Sequence, residues 1–440
     1  MKKKFQKYWK RAVAVTIVGV FGIIAGLTGC TSGTDSNGGS GKVEISMLDF
    51  LIPGEGVTQA MEPLVEKFLE DNPDITLDRE SLSNSDVATK VQTLAAGDEL
   101  PDVFMIRGQM AREFVKNEKL YSFDQLLNDN PAWRDNFKEG VFSNFTIDGS
   151  VYAVPFQVTN TCVFYNTELF AQAGITEFPE TWEELITVVE KLNENGITPI
   201  ALGNKDKWNA QSVILSTLAN RFTGTTWYQG IRDGSGSKFT DPEFVSALTA
   251  LSELAEAGGF NVDVNSIDGA QQREMYMNGR AAITIDGSWA IADFDANAPE
   301  EIKAVTEIAA LPAAPGGAGD ANAITGGAGW ALAINKDISE EKLEAVHKMI
   351  IALTGAEYGT LALKAGTLTA IIPGEEYEDE SQIIATKFAK FAEGRPFIPV
   401  YDHQLNSNVI EVINSGLQEL LIGMVTPEEF AERIQAEYEK

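Results

Sequence analysis

The sequence predicts an α/β fold, because short apolar runs alternate along the chain with segments whose apolar residues recur at helical spacing. The chain has 440 residues, of which 44% are hydrophobic, and this is enough to build two or three ordinary domains with sizeable cores. Strands that are separated by helices of this length favour parallel pairing within a sheet.

The alternation is clearest between residues 43 and 106. The run VEISML at 43–48 predicts a strand, and the segment 57–69 has its apolar residues at helical spacing. A short strand at 75–77, a helix at 87–96 that ends at Gly97, and a buried strand at 102–106 follow.

Similar elements recur further along the chain. Apolar runs predict strands at 162–166, 197–202, 281–285 and 330–334. Three helix starts fit the capping box, in which a threonine is followed three residues later by a glutamate. These pairs are Thr181 with Glu184, Thr240 with Glu243, and Thr426 with Glu429, the last with Pro427 between them.

The N-terminal segment predicts export. Its first eleven residues carry six positive charges and no negative charge, and an apolar run follows from residue 12 to residue 26. This pattern is typical of a secretory signal, and the apolar run is shorter than the roughly 20 residues that a spanning helix needs. Residues 27–30, LTGC, resemble the lipobox of bacterial lipoproteins. The resemblance implies a signal peptide at 1–29 and a lipid on Cys30.

The following residues predict a tether. Residues 31–41, TSGTDSNGGSG, lack aliphatic and aromatic side chains, so we expect residues 30–42 to combine the lipidated cysteine with a flexible linker. The protein is then expected on the extracytoplasmic side of the cell membrane, held by its lipid anchor alone.

The charge and the cysteine count exclude several classes of protein. The net charge is −30 and becomes more negative when the basic N-terminal segment is removed, so nucleic acid and anionic lipid headgroups are poor partners. Once Cys30 carries a lipid, Cys162 is the remaining cysteine and no internal disulfide is possible. We interpret Cys162 as a small buried hydrophobic residue.

Most catalytic chemistries also lack the residues that they need. The two histidines, His347 and His403, fit no metal-ligand spacing, and no GxSxG sequence marks a serine nucleophile. The segment that begins at Asp293 has the first acids of a calcium loop but no turn glycine. We therefore expect no metal and no cofactor. A pair of carboxylates for glycoside cleavage remains possible among 64 acidic residues.

Five strings, in order along the chain, resemble extracellular solute-binding protein family 1, the maltose-binding-protein-like sugar receptors of ABC importers. They lie at residues 97–106, 152–175, 178–185, 277–290 and 326–335. The resemblance implies a monomeric, two-lobed periplasmic-binding-protein-like fold of type II, each lobe a mainly parallel sheet flanked by helices. It also implies a ligand cleft between the lobes, hinge closure, an ABC permease as partner, and no catalysis.

The same resemblance implies how the chain is divided between the lobes. The first lobe is expected at 43–155 plus 312–367, and the second at 156–311 plus 368–440. Crossings between the lobes are then expected near Pro155, near Leu311 and at 366–372, where proline and glycine suit short hinge segments.

Residues just after strands are the first candidates for ligand contact, because ligands of open parallel sheets lie beyond the carboxyl ends of the strands. Asp49 and Phe50 follow the first predicted strand, Gln109 comes shortly after the strand at 102–106, and Asp286 and Trp289 follow the strand at 281–285. Aromatic faces suit the C–H side of a pyranose ring, and carboxylates and amides can bind its hydroxyls.

A second set of candidates comes from loops, hinges and motif positions, and each member could instead be a packing residue. It consists of Thr159, Asn160, Tyr165, Trp227, Trp330 and Tyr401. No cluster of Arg and Lys stands at the strand ends, which argues against a phosphate or polycarboxylate ligand.

Three functions remain open from the sequence. The first is a lipid-anchored receptor for a neutral sugar or oligosaccharide. The second is a receptor of the same fold for a non-sugar solute, since fold does not determine the ligand. The third is a secreted glycan-active enzyme that keeps a carboxylate pair.

Overall fold

The computed structural model describes residues 42–53, 55–375, 382–401 and 405–440. The predictions of a signal peptide at 1–29 and of a lipid on Cys30 lie outside these residues, as do His403 and all of the predicted linker at 30–42 except its last residue. Among the described residues, no helix is both long enough and apolar enough to cross a bilayer.

The described residues form strands and helices that alternate along the chain. The strands are β1 (Val43–Asp49), β2 (Ile75–Ser81), β3 (Val103–Arg107), β4 (Thr146–Ile147), β5 (Ser150–Val151), β6 (Val154–Pro155), β7 (Val158–Asn166), β8 (Thr198–Ala201), β9 (Ala281–Gly287), β10 (Thr306–Ala309), β11 (Ile324–Ala328), β12 (Trp330–Ile334) and β13 (Phe397–Ile398).

The α-helices are α1 (Gly56–Asp71), α2 (Asn84–Ala96), α3 (Gly108–Lys116), α4 (Asp124–Asp129), α5 (Pro131–Arg134), α6 (Thr167–Gln172), α7 (Trp182–Glu194), α8 (Ser216–Asp233), α9 (Pro242–Glu256), α10 (Gly269–Met277), α11 (Ile291–Asn297), α12 (Glu300–Val305), α13 (Glu340–Leu353), α14 (Ala356–Lys364), α15 (Ile383–Ala392), α16 (Ser407–Leu420) and α17 (Pro427–Tyr438). A π-helical segment, Ala210–Leu215, leads into α8.

Two larger sheets organise these elements, and each carries its own core. The first sheet has the strand order β2-β1-β3-β12-β6, and we call it and its helices the first lobe. The second sheet has the order β13-β11-β7-β9-β8, with β10 also paired to β7, and we call it and its helices the second lobe. The α/β class is confirmed.

The strand directions differ from the expectation of mainly parallel sheets. β1 pairs in parallel with β2 and β3, and β8 pairs in parallel with β9. However, β12 is antiparallel to β3, and β7 is antiparallel to β9 and β11. The reason is that β7 and β12 enter from the other lobe at the sheet edge where β9 and β3 end, so they run in the opposite direction.

The helix starts largely follow the predicted caps. Thr181 and Thr426 form complete capping boxes with Glu184 and Glu429. The prediction at Thr240 is wrong by one residue, because α9 begins at Pro242 with Asp241 as its N-cap. Proline fits the first helical position, where its missing N–H is not needed and its fixed φ already suits the helix.

Two segments that connect the lobes lie side by side, and a third segment lies next to them. The chain first crosses at Phe156 and Gln157, between β6 and β7. It crosses back at Gly329, whose N–H donates to the Gln157 carbonyl at 3.1 Å. The segment 367–371 lies beside the first crossing, where Thr369 bridges to Gln157. We call these three segments the hinge.

The second crossing lies later than the predicted position near Leu311. Residues 324–328 form β11 of the second sheet, so the segment 312–328 lies with the second lobe. Arg221 in α8 is 1% exposed and donates to the carbonyls of Leu311, Asp320 and Ala323 at 2.6–3.3 Å. A buried guanidinium requires such partners, and the glycine-rich loop supplies them.

The third crossing is also later than predicted. Ile371 belongs to the core of the first lobe, and the Gly374 N–H donates to the Ala356 carbonyl at 3.1 Å. The next described helix, α15, packs in the second lobe through Ile384 and Phe388. Residues up to Gly374 therefore lie with the first lobe, and the described residues from Ile383 lie with the second.

Candidate functional site: a cleft between the two lobes

A cavity of about 380 Å³ lies between the two lobes, with the hinge along one side. From the first lobe it is lined by Phe50, Ile52, Glu55, Ser83, Asn84, Ser85, Arg107 and Trp330. From the hinge and the start of β7 it is lined by Gln157, Thr159, Thr161 and Gly329. From the second lobe it is lined by Asp206, Trp208, Ser212, Asp268, Gly269, Ala270, Arg273, Trp289 and Val400.

Gly329 allows the hinge strands to approach each other at the cleft. A Cβ atom at this position would lie 3.2 Å from Cγ2 and 3.3 Å from Oγ1 of Thr159. Both Gly329 and Thr159 line the cavity. A side chain here would therefore crowd the cleft at the point where the chain crosses between lobes.

The wall of the second lobe is dominated by Trp289. Its ring lies back over Gly287, where a Cβ atom would be 2.2 Å from Cζ3 of the indole. Trp208 meets Trp289 edge-on, with ring centroids 5.8 Å apart and planes at 64°. The indole is half-buried and lines the cavity. The glycine two residues before the tryptophan therefore lets this ring lie against the strand end while it faces the cleft.

Asp286 lies behind this wall and is 1% exposed. Burial raises the pKa of its carboxyl to about 6, against the opposing effects of Arg273 and of the Gly287 N–H, which donates to Oδ1 at 2.8 Å. Asp286 does not line the cavity, whereas its charged neighbour Arg273 does. Asp286 therefore lies behind the wall and supports it, outside the cavity lining.

Arg273 joins charges from both lobes. Its Nε donates to Asp293 at 2.7 Å, and one of its terminal nitrogens lies 3.6 Å from Asp286. Glu55, from the first lobe, interacts electrostatically with Arg273, and burial raises the pKa of the Glu55 carboxyl. The segment at Asp293 is helical in α11, not a calcium-type loop.

Gln272, the residue before Arg273, connects α10 to the second sheet. It is fully buried, and its Oε1 accepts from the Gly203 N–H at 2.7 Å and from Asn209 at 2.6 Å. Its Nε2 donates to Thr284 Oγ1 and to the Ile285 carbonyl, both at 3.0 Å. These bonds fix the start of α10, whose residues Asp268, Gly269 and Ala270 face the cavity.

Two helix N-termini line the cleft, one from each lobe. The N-cap of α10 is Asp268, which forms a capping box with Gln271, and the N-cap of α2 is Ser83, which accepts from the Asp86 N–H. Helix N-termini carry partial positive charge and favour acceptor groups of a ligand. Ligand hydroxyl oxygens meet that requirement.

The wall of the first lobe is built differently. Phe50 and Trp330 are 2% and 3% exposed, and their ring centroids lie 4.8 Å apart. The guanidinium carbon of Arg107 lies 4.8 Å from the centroid of the Trp330 ring. The aromatic pair therefore packs mainly against itself and against Arg107.

The lobes also touch away from the cavity. Gln92 of α2 donates to Ser407 Oγ at 3.0 Å, and that hydroxyl donates to Glu113 of α3 at 3.2 Å. Ser407 is the first residue of α16 in the second lobe, whereas Gln92 and Glu113 belong to the first. This polar contact joins the lobes in the described conformation.

The structure thus brings four of the sequence-predicted contact residues to the cavity. They are Phe50, Thr159, Trp289 and Trp330.

Several other candidates take part in packing instead. Asp49 is fully buried, where it accepts from Arg79 at 2.6 Å and from the Leu51 N–H at 2.8 Å. Trp227 stacks on Phe244 at 5.2 Å and donates to Asp241 at 2.9 Å. Neither lines the cavity, and each is held by partners within its own lobe.

The remaining candidates also lie outside the cavity lining. Tyr165 packs against Phe178, with ring centroids 4.8 Å apart, and Tyr401 stacks on Tyr228 at 4.8 Å. Asn160 is 3% exposed in β7, where it pairs with β11, and Gln109 lies within the first turn of α3. The rings of Tyr165 and Tyr401 pack in or against the core of the second lobe. An aromatic residue type alone therefore did not tell a ligand contact from a packing residue.

The sequence analysis missed Trp208, Glu55, Gln157 and Arg273, which all line the cavity. A usable signal existed for Trp208. β8 is parallel to β9, so the segment after its carboxyl end meets the same sheet edge as Trp289. Glu55 and Arg273 come together through tertiary contact, for which the sequence carries no local pattern.

Comparison with known proteins identifies the family. The family model for bacterial extracellular solute-binding proteins matches residues 54–360. The chain belongs to this family. Membership confirms the resemblance seen in the sequence and the expectation of a binding protein, not an enzyme.

Relatives at the sequence level are similar over part of their length. An uncharacterized ABC transporter extracellular-binding protein of Pyrococcus horikoshii is 26% identical over 299 residues, which are 65% of this chain and 66% of that protein. The multiple sugar-binding protein of Streptococcus mutans is 23% identical over 288 residues, again 65% and 66%. The matched region thus spans slightly less than two thirds of each of these relatives.

A solved structure of a chitin oligosaccharide binding protein is similar over a larger share. Its TM-score is 0.83 at 24% identity, and the match covers 90% of this chain and 98% of that one. This likeness confirms the two-lobed fold that the resemblance implies.

Proposed function

We propose that this solute-binding protein is the lipid-anchored, extracytoplasmic receptor of an ABC importer, and that it binds a neutral sugar or oligosaccharide by closing its two lobes. It then delivers the ligand to a permease. The observation that carries the proposal is the cleft between the lobes, which presents the half-buried ring of Trp289 beside two helix N-termini.

The chemistry of the cleft suits a saccharide. The indole of Trp289 offers an apolar face for the C–H side of a sugar ring. The hydroxyls of Thr159, Thr161 and Ser212 can donate to and accept from sugar hydroxyls. The charged lining residues are Glu55, Arg107, Asp206, Asp268 and Arg273, and Arg273 is already paired with Asp293. Carboxylates therefore outnumber guanidinium groups, which disfavours an anionic ligand.

The hinge supports closure as the binding motion. It consists of the three segments at 156–157, 329 and 367–371, which are short and lie together. A hinge of a few residues can absorb the backbone change that moves two rigid lobes. The polar contact of Ser407 with Gln92 and Glu113 would form only as the lobes approach.

The anchor and the partners belong to the same proposal. A lipid on Cys30 would hold the receptor at the membrane surface that the permease also occupies, which raises the effective concentration without any new contact. We propose a monomer, since one chain supplies both walls of the cleft.

Binding is tested with the purified protein and a panel of maltotriose, chitotriose, xylotriose, cellobiose and mannitol. Tryptophan fluorescence and thermal unfolding are followed, and a bound saccharide should shift both because ligand binds the folded state. Chromatography should return the saccharide uncut. A response to peptides or polyamines but to no saccharide would instead support a receptor for a non-sugar solute.

The anchor is tested separately in cells that carry a lipoprotein-processing pathway. The wild-type protein should fractionate with membranes, and its N-terminal peptide should carry the mass of a lipid. Cys30→Ser should move the protein to the soluble fraction while leaving saccharide binding intact. Soluble wild-type protein without lipid would refute the anchor and leave the binding proposal untouched.

A further inference from the structure

The first lobe presents a charged group to the cleft where the sequence predicts an aromatic face. Arg107 ends β3, and in the antiparallel pairing of β3 with β12 it lies directly opposite Trp330. Residues opposite each other in such a pair have Cβ atoms about 4.5–5.5 Å apart, so their side chains meet. The 4.8 Å distance from the guanidinium carbon to the Trp330 ring centroid lies within the range of a cation–π contact.

The Trp330 ring has little surface left for a ligand. It is 3% exposed, and Phe50 packs against it with planes at 52°. Arg107 covers a face of the indole. A sugar ring could stack on Trp330 only by displacing the guanidinium, whereas Arg107 is itself half-buried and lines the cavity.

A second contact fixes the orientation of the guanidinium. One of its terminal nitrogens donates to Oδ1 of Asn84 at 2.6 Å, and Asn84 is the first residue of α2. The indole and the amide thus contact the group at two places and restrict its orientation. A guanidinium held in this way presents a rigid set of N–H donors, which a lysine ammonium cannot reproduce.

We propose that Arg107 is the specificity-determining residue of the first lobe, donating hydrogen bonds to hydroxyl oxygens of a saccharide, and that Trp330 is a positioning residue that acts through Arg107. This inference rests on the proposed function and deepens it. The two walls then recognise different features of the ligand: Trp289 contacts the C–H face, and Arg107 recognises the arrangement of hydroxyl oxygens.

The variants Arg107→Gln, Arg107→Lys, Trp330→Phe and Trp330→Leu test the proposal by calorimetry with the four saccharides and mannitol named above. Arg107→Gln should weaken binding at least tenfold, and Arg107→Lys should not restore it, because charge alone does not supply the oriented donors. Trp330→Leu should approach the loss seen for Arg107→Gln. Trp330→Phe keeps an aromatic support and should lose less.

Arg134→Gln is the matched control, because Arg134 is exposed, pairs with Asp135 and lies outside the cavity lining. It should bind as the wild type does. A deoxy analogue of the bound saccharide adds a readout that structural damage would not move. The analogue that lacks the recognised hydroxyl should bind the wild type more weakly than the parent sugar does, and it should bind Arg107→Gln as well as the parent does.

The outcomes separate this inference from the function beneath it. If the wild type binds a saccharide and both Arg107→Gln and Arg107→Lys keep an affinity within twofold of the wild type, the role of Arg107 is overturned. The receptor function then still stands. A wild type that binds no saccharide overturns both. If Arg107→Gln fails to fold, Asn84→Ala takes its place, since it removes one support of the guanidinium, and unchanged affinity in that variant also overturns the proposal.

Discussion

The two walls of the cleft are built by different means, although both follow the ends of strands. On the second lobe, the turn after β9 places Trp289 over Gly287, which is only two residues away in the chain. On the first lobe, Arg107, Trp330 and Phe50 come from three distant segments. A wall built locally can be recognised in the sequence, whereas a wall built by strand pairing cannot.

The largest effect on saccharide binding is expected from the substitution of Trp289 in the wall of the second lobe. Trp289→Ala should weaken saccharide binding by about 2 kcal/mol or more, the size of an interface hot spot, because it removes the exposed aromatic face of the cleft. A loss of stability should accompany it, since the ring also packs against the core of the second lobe. Calorimetry with the bound saccharide and urea unfolding measure the two effects.

Trp227→Ala is the matched variant, because Trp227 is also half-buried but stacks on Phe244 against the core of the second lobe, outside the cavity lining. Truncation of such a ring costs on the order of 3 kcal/mol in the free energy of unfolding. Affinity should stay within a factor of two in the folded protein. Loss of affinity in Trp227→Ala, or unchanged affinity in Trp289→Ala, would place the ligand elsewhere.

Gly287→Ala tests whether the local turn positions Trp289. A Cβ atom would lie 2.2 Å from the indole, so the ring must move away from the strand end. We expect a loss of about tenfold in affinity, equivalent to about 1.4 kcal/mol, and a changed tryptophan emission spectrum.

The control for this glycine is Gly97→Ala, where the nearest atom would be 3.7 Å from the new Cβ and φ is −94°. That variant should bind and fluoresce as the wild type does. An unaltered spectrum and affinity in Gly287→Ala would show that the ring does not depend on the glycine.

The buried carboxyl behind the second wall should make stability depend on pH. The pKa of Asp286 is about 6 in the folded protein against an ordinary value of 3.8, so the stability it contributes is complete below about pH 4 and is lost as the pH rises through 6. In Asp286→Asn this loss is absent. The free energy of unfolding of the variant relative to the wild type should rise by about 1–2 kcal/mol between pH 5 and pH 8.

Urea unfolding of both proteins across this range measures the difference. Asp263→Asn serves as the comparison, because it makes the same change of side chain at an exposed position. A constant difference between Asp286→Asn and the wild type at all pH values would contradict the assigned pKa.

The smallest effect is expected away from the cavity. Ser407→Ala removes the hydroxyl that joins Gln92 and Glu113 across the lobes. These groups are partly or fully exposed, so the net loss should be about 0.5–1 kcal/mol in the free energy of binding, expressed as a faster dissociation rate. Stopped-flow fluorescence compares it with Ser246→Ala, whose hydroxyl bonds within α9 alone. Equal dissociation rates would show that this contact does not stabilise the closed form.

The position of Trp208 tests the strand-end rule, by which ligand contacts are expected just after the carboxyl ends of strands. Applied after β1, β3 and β9, the rule led to Phe50, the neighbourhood of Arg107, and Trp289, which all border the cavity. Applied after β8, it would also have led to Trp208. The rule failed for Asp49 because Arg79 and the Leu51 N–H hold that carboxylate inside the first lobe.

The lobe boundaries show where sequence cues mislead. The turn-rich segment after Leu311 has the composition of a hinge, yet Arg221 binds its carbonyls and keeps it on the second lobe. The actual crossing at Gly329 is one residue long between two strands. Composition describes the flexibility of a segment, but the partners of its backbone decide to which lobe it belongs.

The sequence by itself determined the α/β class, most element positions, two of the three capping boxes, the family, and the tryptophan turn at 287–289. These features depend on local periodicity, on caps within one turn and on short ordered strings. Tertiary structure alone decided the strand directions at the hinge, the packing of Trp227 and Tyr401 within the second lobe, and the placing of Arg107 over Trp330 and of Glu55 near Arg273. Such contacts join residues far apart in the chain, and whether an aromatic or charged side chain faces a core or a cleft is settled by what packs against it.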